Sequence, residues 1–244
     1  MRTIRSFLDQ PLAVGQRLAL PEATTNHLVR VLRLQIGDSC VLFNGDGHDY
    51  EARFASLQKR GAEVEVVARQ AVDRESPLRI TLAQGIARGE KMDWILQKAT
   101  ELGVAVVAPV LTDRTEVKLD HERSDKKMAH WRGVCAAACE QCGRAQLPQV
   151  LEPQSLANFA AADGNPRRFV LDPEAALSLT RLDLPAAAQF TLAIGPEGGF
   201  SERDLATCKA AGYEGLRLGP RILRTETAGP AAIAAINALY GDWR

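Results

Sequence analysis

Apolar and polar side chains mostly alternate between residues 17 and 69, the pattern that half-buried β-strands show. Within this region the sequence predicts strands at Ser39 to Phe43 and Ala62 to Ala68, and Asn44 to Gly47 is a strong signal for a hairpin turn. The spacing of apolar residues becomes helical between Pro21 and Gly37. We therefore expect a small β-rich module interrupted by one helix.

A polar segment without periodicity, Arg69 to Pro77, follows this module, and we place the boundary there, with domains at residues 1–72 and 73–244. Apolar runs and helical patterns alternate along the second domain, which predicts an α/β fold with a parallel sheet covered on both faces. We expect strands at residues 78–84, 104–110, 168–171, 191–194 and 215–218 and helices at residues 88–102, 121–142, 201–211 and 227–240.

The composition narrows the class of protein. The chain has 244 residues, of which 46% are hydrophobic, and this excludes low-complexity disorder. No apolar run reaches the length of a membrane helix and no signal peptide is recognisable, so we expect a cytoplasmic protein that does not bind membranes. Five cysteines cannot all pair, which favours reduced thiols. The formal net charge is zero, so RNA would have to be bound through local basic patches.

Three predicted strands end in turns that suit ligand binding. The strand ending at Ile194 runs into the sequence Gly-Pro-Glu-Gly-Gly-Phe, a second Gly-Pro turn follows Leu218, and Asp172-Pro173 follows a third strand. Glycines let the main chain approach a ligand closely. The P-loop lysine and the G-x-G-x-x-G spacing are both absent, and Glu197 would repel phosphate, which favours a ligand rich in hydroxyls or carrying positive charge. A turn selected for packing alone is the alternative.

Four segments together resemble a known family: residues 194–199 (IGPEGG), 218–227 (LGPRILRTET), 88–93 (RGEKMD) and 140–144 (EQCGR). They are similar to the small-subunit ribosomal RNA uridine methyltransferases of the RsmE family, in the SPOUT class. The resemblance implies a PUA-like β-barrel, a C-terminal α/β domain with a trefoil knot, a homodimer and S-adenosyl-L-methionine as methyl donor, without a metal. The acceptor it implies is N(3) of a uridine in 16S ribosomal RNA, within the small ribosomal subunit, and not DNA.

The resemblance also implies a set of donor-binding residues at the strand ends. The chain departs from the family pattern at Gly229-Pro230, where the last helix is expected to start later or bend, and at Asp172. The implied donor-binding residues are Leu171, Gly195, Glu197, Gly198, Leu218, Gly219, Leu223 and Thr225.

Methyl transfer to uracil N(3) requires loss of the imide proton, so the site needs a base or cations that stabilise the anion. We expect Arg144 and Arg224 to hold the acceptor phosphate or the developing anion, because guanidinium groups suit both. Glu140 or Glu226 is the candidate base. The alternative for each arginine is a phosphate-binding or solvated role, and for each glutamate a helix-terminal or ion-pair role.

Several basic residues are candidates for RNA binding: His27, Arg30, Arg33, Lys59, Arg60, Arg88 and Lys91. A merely solvated surface is the alternative for them. Cys135, Cys139 and Cys142 share a helical face and could ligate zinc, but close helix packing is the favoured interpretation. A non-catalytic RNA-binding protein and a phosphate-binding α/β transferase remain as rival functions.

Overall fold

A computed structural model describes residues 4–58, 61–117 and 121–243. By their contacts these residues divide into two compact units. The first unit comprises Met1–Glu75 and Cys139–Leu147, and the second comprises Ser76–Ala138 and Pro148–Arg244. The contacts therefore assign the distant segment Cys139–Leu147 to the first unit. A single boundary in the sequence cannot describe this division.

The first unit is built on one five-stranded sheet. Its strands follow the order β1-β3-β4-β5-β2, in which only the β1–β3 pair is parallel. The alternation in the sequence places Leu42, Tyr50, Phe54 and Val64 in a common core, where each is at most 2% exposed. The strands are β1 (Arg5–Phe7), β2 (Arg17–Ala19), β3 (Ser39–Phe43), β4 (His48–Gln58) and β5 (Gly61–Ala71).

The predicted helix of this unit is shorter than expected. Helix α1 (Glu22–Thr25) continues into a π-helical turn, Asn26–Val31, and ends there, so the prediction that it reaches Gly37 is wrong. Arg33 adopts a positive φ of 60°, a left-handed conformation that stops helices. The Asp38 carboxylate accepts a hydrogen bond of 2.7 Å from the Gln35 N–H, and this local turn competes with helix formation.

The second unit contains an eight-stranded sheet in which every pairing is parallel. The strand order is β11-β13-β10-β12-β6-β7-β8, and β9 also pairs with β7. The strands are β6 (Arg79–Gly85), β7 (Val106–Leu111), β8 (Gln149–Val150), β9 (Gln154–Ser155), β10 (Arg167–Leu171), β11 (Leu177–Ser178), β12 (Gln189–Ile194) and β13 (Glu214–Arg217). The helices are α2 (Glu90–Glu101), α3 (His121–Cys142), α4 (Leu156–Ala162), α5 (Glu202–Ala210) and α6 (Thr225–Tyr240).

Helices cover both faces of this sheet, as the sequence predicted. Successive residues of a strand point to opposite faces, and Leu82 and Leu192 belong to one buried cluster while their neighbours Ala83 and Ala193 belong to another. The first cluster includes apolar residues of α2, α3 and α6, and the second includes residues of α4 and α5. Among the described residues, none of the helices is both long enough and apolar enough to cross a membrane.

The departure from the family pattern at Gly229-Pro230 does not delay the start of the last helix. Helix α6 begins at Thr225 and carries Pro230 inside it, where both Gly229 and Pro230 are buried. A Cβ on Gly229 would lie 3.6 Å from Ile194 of β12, an ordinary van der Waals contact, so the helix packs on the sheet here without requiring glycine. Packing on the sheet therefore compensates for the poor helix propensity of this pair.

Helix α5 has a capping box that supports a test of local stability. The Ser201 hydroxyl accepts a hydrogen bond from the Asp204 N–H at 3.0 Å, and the Asp204 carboxylate accepts one from the Ser201 N–H at 2.9 Å. We expect Ser201→Ala to lower the free energy of unfolding of the second unit by about 1 kcal/mol, and Ser201→Gly by only about a few tenths of that amount.

Urea unfolding followed by tryptophan fluorescence measures this difference. The method reports on the second unit, because that unit contains all three tryptophans, Trp94, Trp131 and Trp243. Equal loss of stability in the alanine and glycine variants would show that the cap does not contribute through its hydrogen bond.

Candidate active site

One cavity of about 510 Å³ lies where three neighbouring strands end. Strands β13, β10 and β12 are adjacent and parallel, so the turns after them meet at the same edge of the sheet. This is the edge at which open α/β sheets bind ligands. All eight predicted donor-binding residues line the cavity: Leu171, Gly195, Glu197, Gly198, Leu218, Gly219, Leu223 and Thr225.

The two glycines that open the Gly-Pro turns have different surroundings. A Cβ on Gly195 would lie 2.8 Å from the main chain of Gly199 and Phe200, so this turn can fold back on itself only with glycine there. A Cβ on Gly219 would meet no atom within 4 Å. Gly195 is therefore required by packing, whereas Gly219 borders open space.

A buried hydrogen-bond network connects the turn at Gly195 to helix α6. The Thr225 hydroxyl donates to the Gly195 carbonyl at 2.6 Å and accepts from the side-chain amide of Gln84 at 2.9 Å. Gln84, at the end of β6, is 0% exposed and also donates to the Gly85 carbonyl. Three parts of the unit, namely the end of β6, the turn after β12 and the first residue of α6, are thus held together beside the cavity.

Glu197 in the glycine turn is held in its ionised form. Its carboxylate accepts hydrogen bonds of 3.1 Å from the Arg88 N–H and from the Lys91 ammonium. Desolvation would raise the pKa of Glu197, but these bonds, a hydrogen bond from its own backbone and the charge of Lys91 outweigh it and lower the pKa below that of a free glutamate. Glu197 is consequently a weak proton acceptor.

Sequence reasoning missed Arg114 as a residue of the cavity. Arg114 lies just after β7, and its guanidinium donates a hydrogen bond of 2.6 Å to the carbonyl of Gly198. The polar residues Thr112 to Thr115 directly after a buried strand were a signal that could have indicated it. Their turn is closed by a 2.9 Å hydrogen bond from the Thr112 N–H to the Thr115 hydroxyl.

The predicted catalytic residues near helix α6 flank the cavity without lining it. Arg224 is the exposed N-cap residue of α6, and Glu226 lies in its first turn. One carboxylate oxygen of Glu226 is buried and has no hydrogen-bond partner among the described residues. Their chain neighbours Leu223 and Thr225 do line the cavity.

The other two predicted catalytic residues lie in the first unit and make structural contacts there. The Arg144 side chain is 4% exposed and donates bonds of 3.0 and 3.1 Å from Nε to the Glu75 carboxylate. Burial disfavours the charge of Arg144, but the hydrogen bonds and charge of Glu75 outweigh it and raise its pKa. The Glu140 carboxylate accepts a 2.8 Å bond from the Phe7 N–H. Arg144 is therefore ion-paired and not solvated, which sequence reasoning did not anticipate, and Glu140 is bound to a main-chain N–H. The catalytic assignments stay predictions.

The candidate RNA-binding residues fall into two sets. His27, Arg30 and Arg33 are exposed on and just after the π-helical turn of the first unit. Arg88 pairs with Glu116 and Lys91 pairs with Glu197 in the second unit, so these two cations already have acidic partners. Lys59 and Arg60 lie outside the residues that the structure describes.

The cysteines resemble core residues more than ligands. Cys135 and Cys139 are buried, and within the described ranges no group of three or more histidine, cysteine or acidic side chains is arranged to hold a metal ion. Burial raises the pKa of Cys40 to about 12, and burial together with the charge of Asp204 does the same for Cys208.

Comparison with known proteins identifies the family. A model described as an RNA methyltransferase domain matches residues 74–237, and one described as an RNA methyltransferase PUA domain matches residues 20–67. Ribosomal RNA small subunit methyltransferase E from Buchnera aphidicola (subsp. Schizaphis graminum) is 31% identical over 99% of this chain and 98% of its own length. The chain belongs to the ribosomal RNA small subunit methyltransferase E family.

Solved structures agree with this membership. The Neisseria gonorrhoeae member of the family, bound to S-adenosyl methionine, has a TM-score of 0.91 and 36% identity, covering all of both chains. A Legionella pneumophila protein in complex with the bound cofactor SAM has a TM-score of 0.95 and 38% identity, covering 99% of this chain and all of its own. The resemblance seen in the sequence is therefore confirmed, and so is the fold class, a SPOUT-type α/β domain preceded by a PUA-like domain.

The Arg144–Glu75 pair supports a test that separates scaffold from catalysis. Arg144→Ala leaves the partly buried Glu75 carboxylate without its partner, so we expect the free energy of unfolding of the first unit to fall by about 3 kcal/mol. Amide hydrogen exchange in β4 and β5 measures this, because the tryptophans lie in the other unit.

The matched control is Arg132→Ala, which breaks an ion pair whose side chains are 56% and 66% exposed and should change stability very little. Unchanged hydrogen exchange in the Arg144→Ala variant, combined with loss of methyl transfer, would contradict the scaffold role and support the catalytic one.

The environment of Glu197 predicts a titration that depends on Lys91. Because its pKa is lowered, the Glu197 carboxylate stabilises the folded state above the pKa of a free glutamate, and this contribution is lost as the pH falls through the folded-state value. We expect Lys91→Ala to raise the pKa of Glu197 only part of the way, since the Arg88 N–H remains.

Carbon-13 NMR titration of the glutamate carboxyl groups measures this pKa. Lys98→Ala, which removes the partner of Glu101 on the same helix, is the control that should leave Glu197 unchanged. An unaltered Glu197 titration in the Lys91→Ala variant would contradict the assigned contact.

Proposed function

We propose that this protein transfers the methyl group of S-adenosyl-L-methionine to N(3) of a uridine in 16S ribosomal RNA of the small ribosomal subunit. The observation that carries the proposal is the cavity at the ends of β10, β12 and β13, in a chain of an RNA methyltransferase family. Its size lies within the range of sites that enclose small ligands, about 300 to 1,000 Å³.

The lining of the cavity suits this donor better than a nucleoside triphosphate. The main chain of the turns at Gly195 and Gly219 can approach an adenosine, and no side chain fills the space beside Gly219. Asp172, Glu174, Glu197 and Glu202 give the lining four carboxylates against the two arginines Arg114 and Arg221. Carboxylates can bind ribose hydroxyls and attract a sulfonium, whereas they repel phosphates.

When bound, S-adenosyl-L-methionine supplies an electrophilic methyl group, and the protein has to position the uracil nitrogen in line with it. Among the predicted catalytic residues, we propose Arg224 for the acceptor phosphate and Glu226 for the proton, because both flank cavity residues at the start of α6. Arg144 and Glu140 stay as candidates that the Arg144→Ala experiment distinguishes.

We propose that the first domain, residues 1–72, binds the RNA and that residues 73–244 carry the reaction. His27, Arg30 and Arg33 are exposed there for phosphate contacts, whose strength should fall with rising salt. A homodimer is proposed for the second unit, which exposes Trp94, Leu239 and Trp243 by 46%, 44% and 54%. We also propose that the protein acts in the cytoplasm and binds neither DNA nor membranes.

Ligand-dependent stability tests the donor proposal. S-adenosylmethionine and S-adenosylhomocysteine should raise the melting temperature, whereas ATP should not. At a ligand concentration of about 100 times Kd, the free energy of unfolding should rise by about 2.7 kcal/mol. Gly219→Val should lower donor affinity about tenfold or more by filling ligand space without disturbing the fold.

Gly133→Val is the matched control, because a Cβ there also meets no atom within 4 Å and the position lies on α3, away from the cavity lining. Wild-type donor affinity in Gly219→Val, measured by calorimetry, would remove this turn from the donor site. Stabilisation by ATP alone would favour a phosphate-binding transferase instead. Transfer of labelled methyl to unmodified subunits, followed by mapping of the modified base, tests the acceptor.

A further inference from the structure

Arg114 places its guanidinium at the wall of the cavity. Its Nη1 donates to the Gly198 carbonyl at 2.6 Å, and its aliphatic part lies across the same glycine. A Cβ on Gly198 would be 3.2 Å from Cβ and 3.3 Å from Cδ of Arg114, which is tight contact. The side chain is thus held against the turn that follows β12, and the residue is still exposed to solvent.

No acidic side chain of the described residues forms an ion pair with Arg114. Two nearby cations have acidic partners: Lys91 contacts Glu197 at 3.1 Å, and Arg203 contacts Asp113 at 3.9 Å. Within the described ranges, Arg114 itself makes no ion pair and a single side-chain hydrogen bond. A guanidinium has five N–H donors, so most of those of Arg114 are left for a bound group.

The bases in and beside the cavity are carboxylates, which are weak proton acceptors, and this makes a cation more important. The described part of the lining contains no histidine, and Glu197 is held as a stable carboxylate by the Arg88 N–H and the Lys91 ammonium. Asp172 accepts a 2.9 Å hydrogen bond from the Glu174 N–H. Removal of the imide proton therefore depends on stabilising the anion that remains, which is the role of a preorganised positive charge.

We propose that Arg114 contacts the acceptor uracil and stabilises its anion through hydrogen bonds to a ring oxygen. The inference rests on the proposed function and adds a catalytic residue to it. The N(3)–H proton leaves to water or to a base, and the N(3) electron pair then forms the bond to the methyl carbon. The carbon–sulfur bond breaks with its electrons remaining on sulfur, which yields the neutral thioether S-adenosylhomocysteine.

Rate measurements against pH at saturating donor test this role. We expect Arg114→Ala to slow methyl transfer about 100-fold near neutral pH, and to shift the rise of the rate to higher pH because the uracil loses its proton less readily. Arg114→Lys should recover part of the rate. Donor affinity measured by calorimetry should stay close to that of the wild type.

A more acidic acceptor gives a second readout. Subunits reconstituted with RNA that contains 5-fluorouridine present an N(3)–H that ionises more easily. The difference in methyl-transfer rate between the wild type and Arg114→Ala should therefore be smaller on this acceptor. Arg203→Ala is the matched control, because Arg203 is 85% exposed on α5 and does not line the cavity.

The possible outcomes separate the role of Arg114 from the proposed function. A marked loss of donor affinity with an unchanged pH profile would overturn the inference and assign Arg114 to the donor carboxylate. A wild-type rate in Arg114→Ala at every pH would also overturn it. Absence of methyl transfer by the wild-type protein would overturn the proposed function itself, whatever the variants do.

Discussion

The cavity depends on the close approach of main chain to main chain around Gly195. The turn after β12 can fold back only because Gly195 has no Cβ, and a Cβ on Gly85 would lie 2.6 Å from Pro196 of the same turn. Thr225 then fixes the Gly195 carbonyl with a 2.6 Å hydrogen bond. Without this packing, the ends of β10, β12 and β13 would not border one cavity, and the polar side chains that follow them would not lie close together.

The charges around the cavity are distributed unevenly, and this gives its residues different chemistry. Glu197 is already bound by Lys91, so both charges are stabilised in the protein. Among the described residues, the one side-chain partner of Arg114 is the Gly198 carbonyl, which orients the guanidinium and leaves its charge available to a ligand. A pattern of compensated and uncompensated charges is what one expects where binding and catalysis use different groups.

The segment Cys139–Leu147 shows how a sequence motif can have a structural role. Residues 140–144 carry part of the family resemblance, yet Glu140 binds the Phe7 N–H and Arg144 pairs with Glu75, all within the first unit. A buried charge that loses its partner is strongly destabilising. Glu140 and Arg144 therefore make contacts that stabilise the first unit and do not require the substrate.

The sequence by itself determined the alternating and helical patterns, the parallel α/β sheet and the glycine turns at the ends of strands, because these depend on local periodicity and backbone freedom. Tertiary structure alone decided that β13, β10 and β12 are neighbours and that Arg114 lies against Gly198. Such features arise from contacts between residues far apart in the chain, whose pairing no local pattern encodes.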